Sequence, residues 1–249
     1  MTAQRGRRRP RRPEGEGIRQ RSPGPTAKPD ELAADRGRAL RLVDVSRETA
    51  ARLDRFVAVL LAWQRRINLI SPATARMVWT RHVADSLQLL ALAPHARVWV
   101  DLGSGGGFPG LPIACALAET PGACVHLVES NMKKAAFLRE AVRAAAAPAM
   151  VHAMRIEQFV ASPPEGIKVV TARALAPLTE LLAAAYPLLK KGVFGLFPKG
   201  QDVERELTEA TKYWKIQVSL ALSRTDPEGR IVVVRAIEPL GRPRRALGV

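Results

Sequence analysis

Apolar residues recur at helical spacing in the first third of this chain. Over residues 53–61 they stand three and four positions apart, which predicts a helix that begins after an N-capping Ser46. The apolar side chains of this stripe are Leu53, Phe56, Val57, Leu60 and Leu61. Ser71 and Pro72 have the residue types of a helix N-cap and first turn, so we expect a second helix to begin there. Its buried face is predicted to carry Val83, Leu87 and Leu90.

From residue 97 the period changes, and short apolar runs alternate with helical segments. Predicted strands occupy 98–102, 124–129, 150–154, 168–173, 193–198, 215–222 and 231–237. Predicted helices occupy 109–119, 131–146, 175–190 and 202–212. Strands separated by helices imply an α/β fold with a mostly parallel sheet. The last two strands are joined through T-D-P-E-G, which is too short for a helix, so they should pair as an antiparallel hairpin.

Composition divides the chain further. Residues 1–38 contain few large apolar side chains, and six arginines lie between Arg5 and Arg12, so we expect a disordered basic tail. This tail could be a solvated extension or an RNA-binding arm. Residues 39–95 should form a helical segment that packs on the core, 96–240 a Rossmann-like domain, and 241–249 a basic C-terminal tail.

Charge narrows the choice of partner. The 249 residues include 39 basic and 23 acidic side chains, a formal net charge of +16. Such an excess favours a polyanionic partner, nucleic acid before an anionic membrane. No apolar run reaches the ~20 residues that a membrane span needs. Neither the two cysteines nor the four histidines have metal-ligand spacing, so we expect a cytoplasmic protein without a metal or membrane anchor.

The most informative local pattern is V-W-V-D-L-G-S-G-G-G-F-P-G, from Val98 to Gly110. Its order of strand, glycine-rich loop and helix is typical of the nucleotide-binding corner of a doubly wound sheet. Asp101 precedes the loop and could order it or contact a cationic ligand. Glu129 ends the next strand, where an acidic residue reaches ribose hydroxyls, so we expect an adenosine-type ligand. Because the loop also spells G-x-G-x-x-G, a nicotinamide-dependent oxidoreductase is an alternative.

Candidate binding residues follow five predicted strands, at the carboxyl ends where an open α/β sheet binds its ligands. They are Asp101, Gly103, Ser104, Gly105, Phe108, Glu129, Ile156, Glu157, Arg173 and Lys199. Structural alternatives stay open. Glu157 could be a helix N-terminal carboxylate, and Lys199 could cover a strand end. Arg173 could pair with Glu129 or Asp101 without contacting a ligand.

A polar cluster stands on the helix predicted after Pro72. Its members are Arg81, His82, Asp85 and Ser86. Spacings of three and four should let Asp85 contact both Arg81 and His82. Such a cluster is either a surface ion pair or part of the lining of the ligand pocket.

Several strings together resemble one family. They are D-L-G-S-G-G-G-F-P-G-L-P, L-V-E-S-N-x-K-K-x-x-F-L-R-E, T-A-R-A-L-A and P-K-G, with N-L-I-S and R-H-x-x-D-S-L upstream. Over about Val45 to Pro239 the chain is similar to the bacterial 16S ribosomal-RNA guanine-N7 methyltransferases, the glucose-inhibited division protein B family. The resemblance implies the class I methyltransferase fold, a Rossmann-like, seven-stranded, mostly parallel sheet that ends in an antiparallel hairpin. A plain dehydrogenase sheet would lack that hairpin.

The resemblance also implies a reaction. The cofactor would be S-adenosyl-L-methionine, and the substrate a specific guanine in a loop of 16S rRNA within the small ribosomal subunit, the guanine 527 site. Carried over from the family, the cofactor-binding positions are Gly103, Phe108, Ile156, Glu157 and Arg173. Guanine N7 has a free lone pair and no proton to lose, so we expect no general base, with Arg173 and Lys199 as positioning residues.

For RNA contact the candidate residues are Arg81, His82, Lys133, Lys134 and Lys199. We expect the protein to act as a monomer. A third, non-catalytic alternative is an RNA-binding or ribosome-assembly factor that retains the fold.

Overall fold

A seven-stranded sheet runs through the middle of the computed structural model, which describes residues 28–241. The strands are β1 (Val98–Leu102), β2 (Cys124–Val128), β3 (Ala149–His152), β4 (Val169–Thr171), β5 (Phe194–Lys199), β6 (Trp214–Leu222) and β7 (Arg230–Pro239). Their spatial order is β3-β2-β1-β4-β5-β7-β6. The first five strands pair in parallel, and β7 lies antiparallel between β5 and β6. The predicted α/β sheet with a terminal hairpin is confirmed.

Helices cover the two faces of this sheet. They are α1 (Pro29–Leu42), α2 (Arg47–Gln64), α3 (Asp85–Leu87), α4 (Gly110–Ala116), α5 (Met132–Ala145), α6 (Ile156–Ala161), α7 (Leu178–Leu189) and α8 (Val203–Ala210). One apolar cluster joins α2, α4 and α5 to one face, and a second joins α6, α7 and α8 to the other. Ser46 caps α2 as predicted, since its Oγ accepts the Thr49 N–H at 3.1 Å. Within residues 28–241, no helix has both the length and the apolar character that a membrane crossing requires.

The expected disorder through residue 38 is wrong for its last part, because α1 begins at Pro29. Ala39 and Asp35 of this helix are fully buried. Asp35 Oδ2 accepts the backbone N–H of Trp79 at 2.8 Å, and its Oδ1 accepts the Thr80 hydroxyl at 2.6 Å. A carboxylate at the centre of the buried face hides the helix from an apolar-pattern search. The rest of the predicted N-terminal tail, 1–27, and of the predicted C-terminal tail, 242–249, lies outside the described residues.

The helix predicted to begin at Pro72 is also wrong in form. Helical structure begins instead at Ala75 and continues to Leu92 as an irregular run that we call the irregular helix. It consists of a 3₁₀ turn (Ala75–Met77), a π-helical turn (Trp79–Ala84), α3 and a second 3₁₀ turn (Gln88–Leu92). Ser71 Oγ accepts the Ala73 N–H at 3.3 Å, so this serine shapes a local turn. The π-helical turn shifts the phase of every later side chain, which residue spacing alone does not show.

The remaining elements match the predicted ones to within a few residues at their ends, with one addition. Helix α6 was not among the predicted helices, although its first turn holds Glu157 as the helix N-terminal carboxylate that the sequence offered as an alternative. Six residues are too few for helical periodicity to be recognised. The carboxyl ends of β1, β2, β4 and β5 lie along one edge of the sheet together with the start of β7. This edge holds the site.

Candidate cofactor and substrate site

A pocket of about 600 Å³ opens at the carboxyl edge of the sheet. That volume lies within the range of small-molecule sites. Its lining comes from the glycine loop after β1, the N-L-I-S loop after α2, the irregular helix, the first turn of α5, the loop after β4, the end of β5 with α8, and the β6–β7 turn with the start of β7. Of the predicted site residues, the lining includes Arg81, His82, Gly103, Ser104, Gly105, Phe108, Lys134, Arg173 and Lys199.

The glycine loop leaves little room for side chains. Gly103 has φ +70, and a Cβ there would lie 2.6 Å from the Leu175 side chain. A Cβ on Gly106 would lie 2.8 Å from the carbonyl oxygen of Leu69. Both positions need glycine so that the loop after β4 and the N-L-I-S loop can close on the pocket.

Glu129 holds the glycine loop to the start of α5. Its Oε2 accepts the Gly105 N–H at 2.9 Å, and its Oε1 accepts the Asn131 N–H at 2.7 Å. Each oxygen keeps a second lone pair with which it can accept a hydroxyl. The carboxylate is therefore fixed in position, buried beside the glycine loop.

Asp101 is fully buried beneath the same loop. Its Oδ2 accepts the Gly110 N–H at 3.2 Å, and its Oδ1 has no hydrogen-bond partner among residues 28–241. Burial raises the pKa of this carboxyl to about 7, although the hydrogen bond from Gly110 and the charge of Arg173 oppose the rise. A cationic ligand in the pocket would favour the ionised form. The fixed Glu129, the tight glycine cradle and this unpartnered oxygen together fit a positively charged adenosine ligand.

Arg173, on the loop after β4, lies at the centre of a buried cluster. Its guanidinium donates to His82 Nδ1 and, at 3.1 Å, to the backbone oxygen of Arg81. It lies 3.5 Å from the Asp85 carboxylate and 5.2 Å from the centre of the Phe108 ring. The His82 and Phe108 rings also stack, with centroids 4.9 Å apart. A planar cation thus forms one wall of the pocket beside two rings.

His82 is neutral in this arrangement. Because a guanidinium can only donate, His82 Nδ1 must accept, and the ring proton lies on Nε2, which contacts Thr74 Oγ1 at 2.8 Å. Burial, assisted by the charges of Arg173 and Arg81, lowers the pKa of His82 to about 3. His82 therefore positions Arg173 and carries no charge toward RNA.

The predicted contacts of Asp85 with Arg81 and His82 are wrong. Arg81 pairs with Asp226 in the β6–β7 turn at 2.7 Å. Asp85 instead faces Arg173 and accepts the Thr225 hydroxyl at 2.6 Å. The π-helical turn carries these side chains out of the i, i+4 alignment and toward other elements.

Lys199 ties two loops together. Its Nζ donates to the Ala176 backbone oxygen at 2.9 Å and to Glu206 at 2.7 Å. Glu206 also accepts the Leu178 N–H at 2.6 Å, so the loop that carries Arg173 is anchored to α8. This geometry matches the alternative in which Lys199 covers a strand end. Arg173 also pairs within the protein, but with Asp85 rather than with Glu129 or Asp101.

The family model for rRNA small subunit methyltransferase G matches residues 49–229. The chain belongs to this family. The ribosomal RNA small subunit methyltransferase G of Bradyrhizobium sp. strain BTAi1 is 60% identical over 207 residues, covering 83% of this chain and 93% of the relative. That of Bradyrhizobium sp. strain ORS 278 is 58% identical over 209 residues, covering 84% and 94%. The resemblance drawn from the sequence strings is confirmed.

The solved structures agree in fold. The O-methyltransferase from Bacillus cereus in complex with SAH (S-adenosylhomocysteine) has a TM-score of 0.54 at 16% identity, covering 83% of this chain and 98% of that one. Together with the strand order, this likeness shows the class I methyltransferase fold.

Two family strings acquire a structural meaning here. In R-H-x-x-D-S-L, the arginine holds the β6–β7 turn, while the histidine and aspartate hold Arg173. N-L-I-S follows Gln64, whose Oε1 accepts the N–H groups of Leu69 and Ile70 at 2.9 and 3.0 Å. The Gln64 Nε2 donates to the Ile70 oxygen at 2.8 Å. Gln64 therefore shapes the loop that contacts Gly106.

Other predicted residues are not among those that line the pocket, and these include the buried Asp101 and Glu129. Glu157 is exposed in the first turn of α6, next to a half-buried Ile156, and Lys133 is exposed at the start of α5. Residues 28–241 contain no group of three or more His, Cys, Asp or Glu side chains that could hold a metal ion.

Sequence reasoning missed several lining residues, among them Leu69, Thr74, Glu206, Ser223, Asp226 and Arg230. N-L-I-S was a signal for Leu69 and the T-D-P-E-G turn for Asp226, and the other four residues carried no sequence signal.

Proposed function

We propose that this protein transfers the methyl group of S-adenosyl-L-methionine to N7 of a guanine in a loop of 16S rRNA, the guanine 527 site by family resemblance. The sulfonium–carbon bond breaks, an N7–carbon bond forms, and the positive charge passes from sulfur to the base. Family membership and the names of the relatives support an rRNA substrate in the small subunit.

The observation that carries the choice of a ring nitrogen is that no carboxylate or imidazole that lines the described pocket is free to accept a proton. Each carboxylate that lines the described pocket already has a cation: Asp85 faces Arg173, Asp226 faces Arg81, and Glu206 faces Lys199. His82 uses its only lone pair on Arg173. An amine or hydroxyl acceptor would have to lose a proton, whereas N7 would not. The site therefore supports catalysis by orientation.

Phe108 and Arg173 are the residues best placed to orient the reactants. The ring and the guanidinium meet beside the glycine loop, and the guanidinium is held by His82 and Asp85. Their planar surfaces suit stacking and bidentate recognition of a carboxylate or a base edge. Glu129 would bind the ribose hydroxyls, and Ile156 with Glu157 would contact the adenine edge from the start of α6.

The target guanine has to lie in a loop. N7 is on the major-groove edge of the base, and that groove is too deep and narrow in an RNA helix for a protein to reach. A splayed base can instead enter the pocket.

Two experiments test the proposal against its alternatives. Calorimetric titration should show binding of S-adenosylhomocysteine and none of NAD, and the reverse result would support an oxidoreductase. Mass mapping of 16S rRNA from a deletion strain should show one guanine without its methyl group. An unchanged rRNA would contradict the proposal and support the non-catalytic assembly factor.

The pH profile tests the mechanism. We expect that no single substitution removes a unit slope from the plot of the logarithm of the methyl-transfer rate against pH. One such substitution would reveal a general base.

A further inference from the structure

The cations that line the pocket fall into two groups. Arg81, Arg173 and Lys199 are paired with carboxylates at 2.7, 3.5 and 2.7 Å. Lys134 and Arg230 line the same pocket, yet no carboxylate of residues 28–241 lies within 4.0 Å of either charge. The charges of Lys134 and Arg230 are therefore the two in this lining that remain available to bind an anion from outside the protein.

These two residues stand on opposite sides of the pocket. Lys134 is in the first turn of α5, which follows β2, and Arg230 begins β7. Between β2 and β7 lie β1, β4 and β5, so four strand spacings, about 19 Å, separate the two strands. The glycine loop and Arg173 follow β1 and β4, between them.

Local hydrogen bonds hold both positions in place. One terminal nitrogen of Arg230 donates to the backbone oxygens of Pro227 and Gly229, both at 2.8 Å, which leaves its other donors available. The Lys134 N–H donates to the capping Asn131 side chain at 3.1 Å, which fixes the start of α5, and Lys134 is one of the residues that line the pocket.

We infer that Lys134 and Arg230 bind phosphates of the RNA strand on the two sides of the target guanine. This inference rests on the proposed function and names the part of the site that contacts the RNA backbone. An RNA strand that crosses the mouth from β2 to β7 meets a cation at each end, and the base between them turns inward toward Phe108 and Arg173. Arg81, His82 and Lys199, which the sequence suggested for RNA contact, are engaged within the protein.

The test is the salt dependence of binding to small ribosomal subunits from a strain that lacks this protein. Lys134→Ala and Arg230→Ala should each lower the slope of log K against log salt by about 0.7–0.9, and the double variant by about twice that. Lys134→Arg and Arg230→Lys should keep the wild-type slope, because the charge is kept.

Matched controls lie at the opposite edge of the sheet. Lys168 directly precedes β4, and Arg97 directly precedes β1 and donates to the Pro121 backbone oxygen. Lys168→Ala and Arg97→Ala should keep the wild-type slope. A wild-type slope in the two alanine variants of the rim, or an equal loss in the controls, would overturn the inference.

Methyl transfer is measured separately on the same subunits. Wild-type protein that binds with the expected slope pattern but methylates no guanine would contradict the proposed function and keep the phosphate contacts. If the wild-type protein methylates a guanine but neither Lys134→Ala nor Arg230→Ala changes the slope, the proposed function stands and the phosphate contacts are contradicted.

Discussion

His82 shows how a single residue can serve a charged site by staying neutral. It accepts from Arg173 on one ring nitrogen and contacts Thr74 on the other. Protonation would remove the acceptor and place a second cation beside the guanidinium. The pKa of about 3 follows from burial first and from Arg173 and Arg81 next.

This residue makes stability depend on pH. Since the pKa of His82 is about 3 in the folded protein and about 6.5 in an unfolded chain, the unfolded state binds the extra proton between these values. Acidification from pH 7 to pH 5 should therefore lower the unfolding free energy of the wild type by about 2 kcal/mol more than it lowers that of His82→Gln. Urea unfolding at the two pH values measures this difference.

The exposed His95 provides the control. His95→Gln should keep the wild-type dependence on pH. An equally steep loss of stability in His82→Gln and in the wild type would contradict a neutral His82.

At the scale of elements, the pocket depends on side chains that do not line it. Helix α1 holds the π-helical turn through Asp35, and Gln64 at the end of α2 holds the N-L-I-S loop. Both are polar side chains that satisfy backbone groups which an irregular segment leaves without helical or sheet partners.

Removing Asp35 should loosen the irregular helix. Asp35→Ala leaves the Trp79 and Thr80 N–H groups without their acceptor in a buried place, so we expect a loss of about 3 kcal/mol of unfolding free energy. Asp30→Ala, at an exposed position of the same helix, should cost less than about 1 kcal/mol. Chemical denaturation compares them, and equal losses would show that Asp35 does not anchor the turn.

Removing the Gln64 amide should act on cofactor binding more than on folding. Gln64→Ala removes the three hydrogen bonds that shape the loop packed on Gly106, so the loop must be ordered when the ligand binds, and we expect roughly tenfold weaker binding of S-adenosylhomocysteine by calorimetry, a loss of about 1.4 kcal/mol. Gln64→Glu keeps the two accepted bonds and should lie in between. Gln217→Ala, on exposed strand β6, should bind as the wild type does, and the same affinity in all variants would refute the role of Gln64.

At the scale of the whole molecule, the pocket joins three parts of the chain. The glycine loop belongs to the parallel half of the sheet, the irregular helix to the N-terminal segment, and the β6–β7 turn to the antiparallel end. Arg81–Asp226 and Asp85–Thr225 connect the second part to the third. A ligand in the pocket therefore contacts elements that are far apart in sequence.

Cofactor binding should accordingly stabilise the protein as a unit. At 100 times its dissociation constant, S-adenosylhomocysteine should add about 2.7 kcal/mol, which raises Tm by about 5–10 °C in a chain of this size. Differential scanning calorimetry should show one transition that moves as a whole. NAD should leave Tm unchanged, and a shift produced by NAD alone would contradict the assigned ligand class.

Local patterns determined much of this protein from sequence alone. Strands, most helices and the glycine loop depend on the period of apolar residues and on glycine conformation, and both are properties of short segments. The order of those elements also determined the edge of the sheet where Gly103, Glu129 and Arg173 end up, because parallel strands share one carboxyl edge.

Tertiary structure alone decided how the charges pair. Arg81 meets Asp226 and Arg173 meets His82 across separations of 145 and 91 residues, and a π-helical turn rotates the irregular helix away from regular spacing. Helix α1 went unnoticed since its buried face carries a carboxylate whose partners lie 44 residues away. Such contacts depend on which surfaces the folded chain brings together, and the free energy that selects them comes from burial rather than from neighbours in sequence.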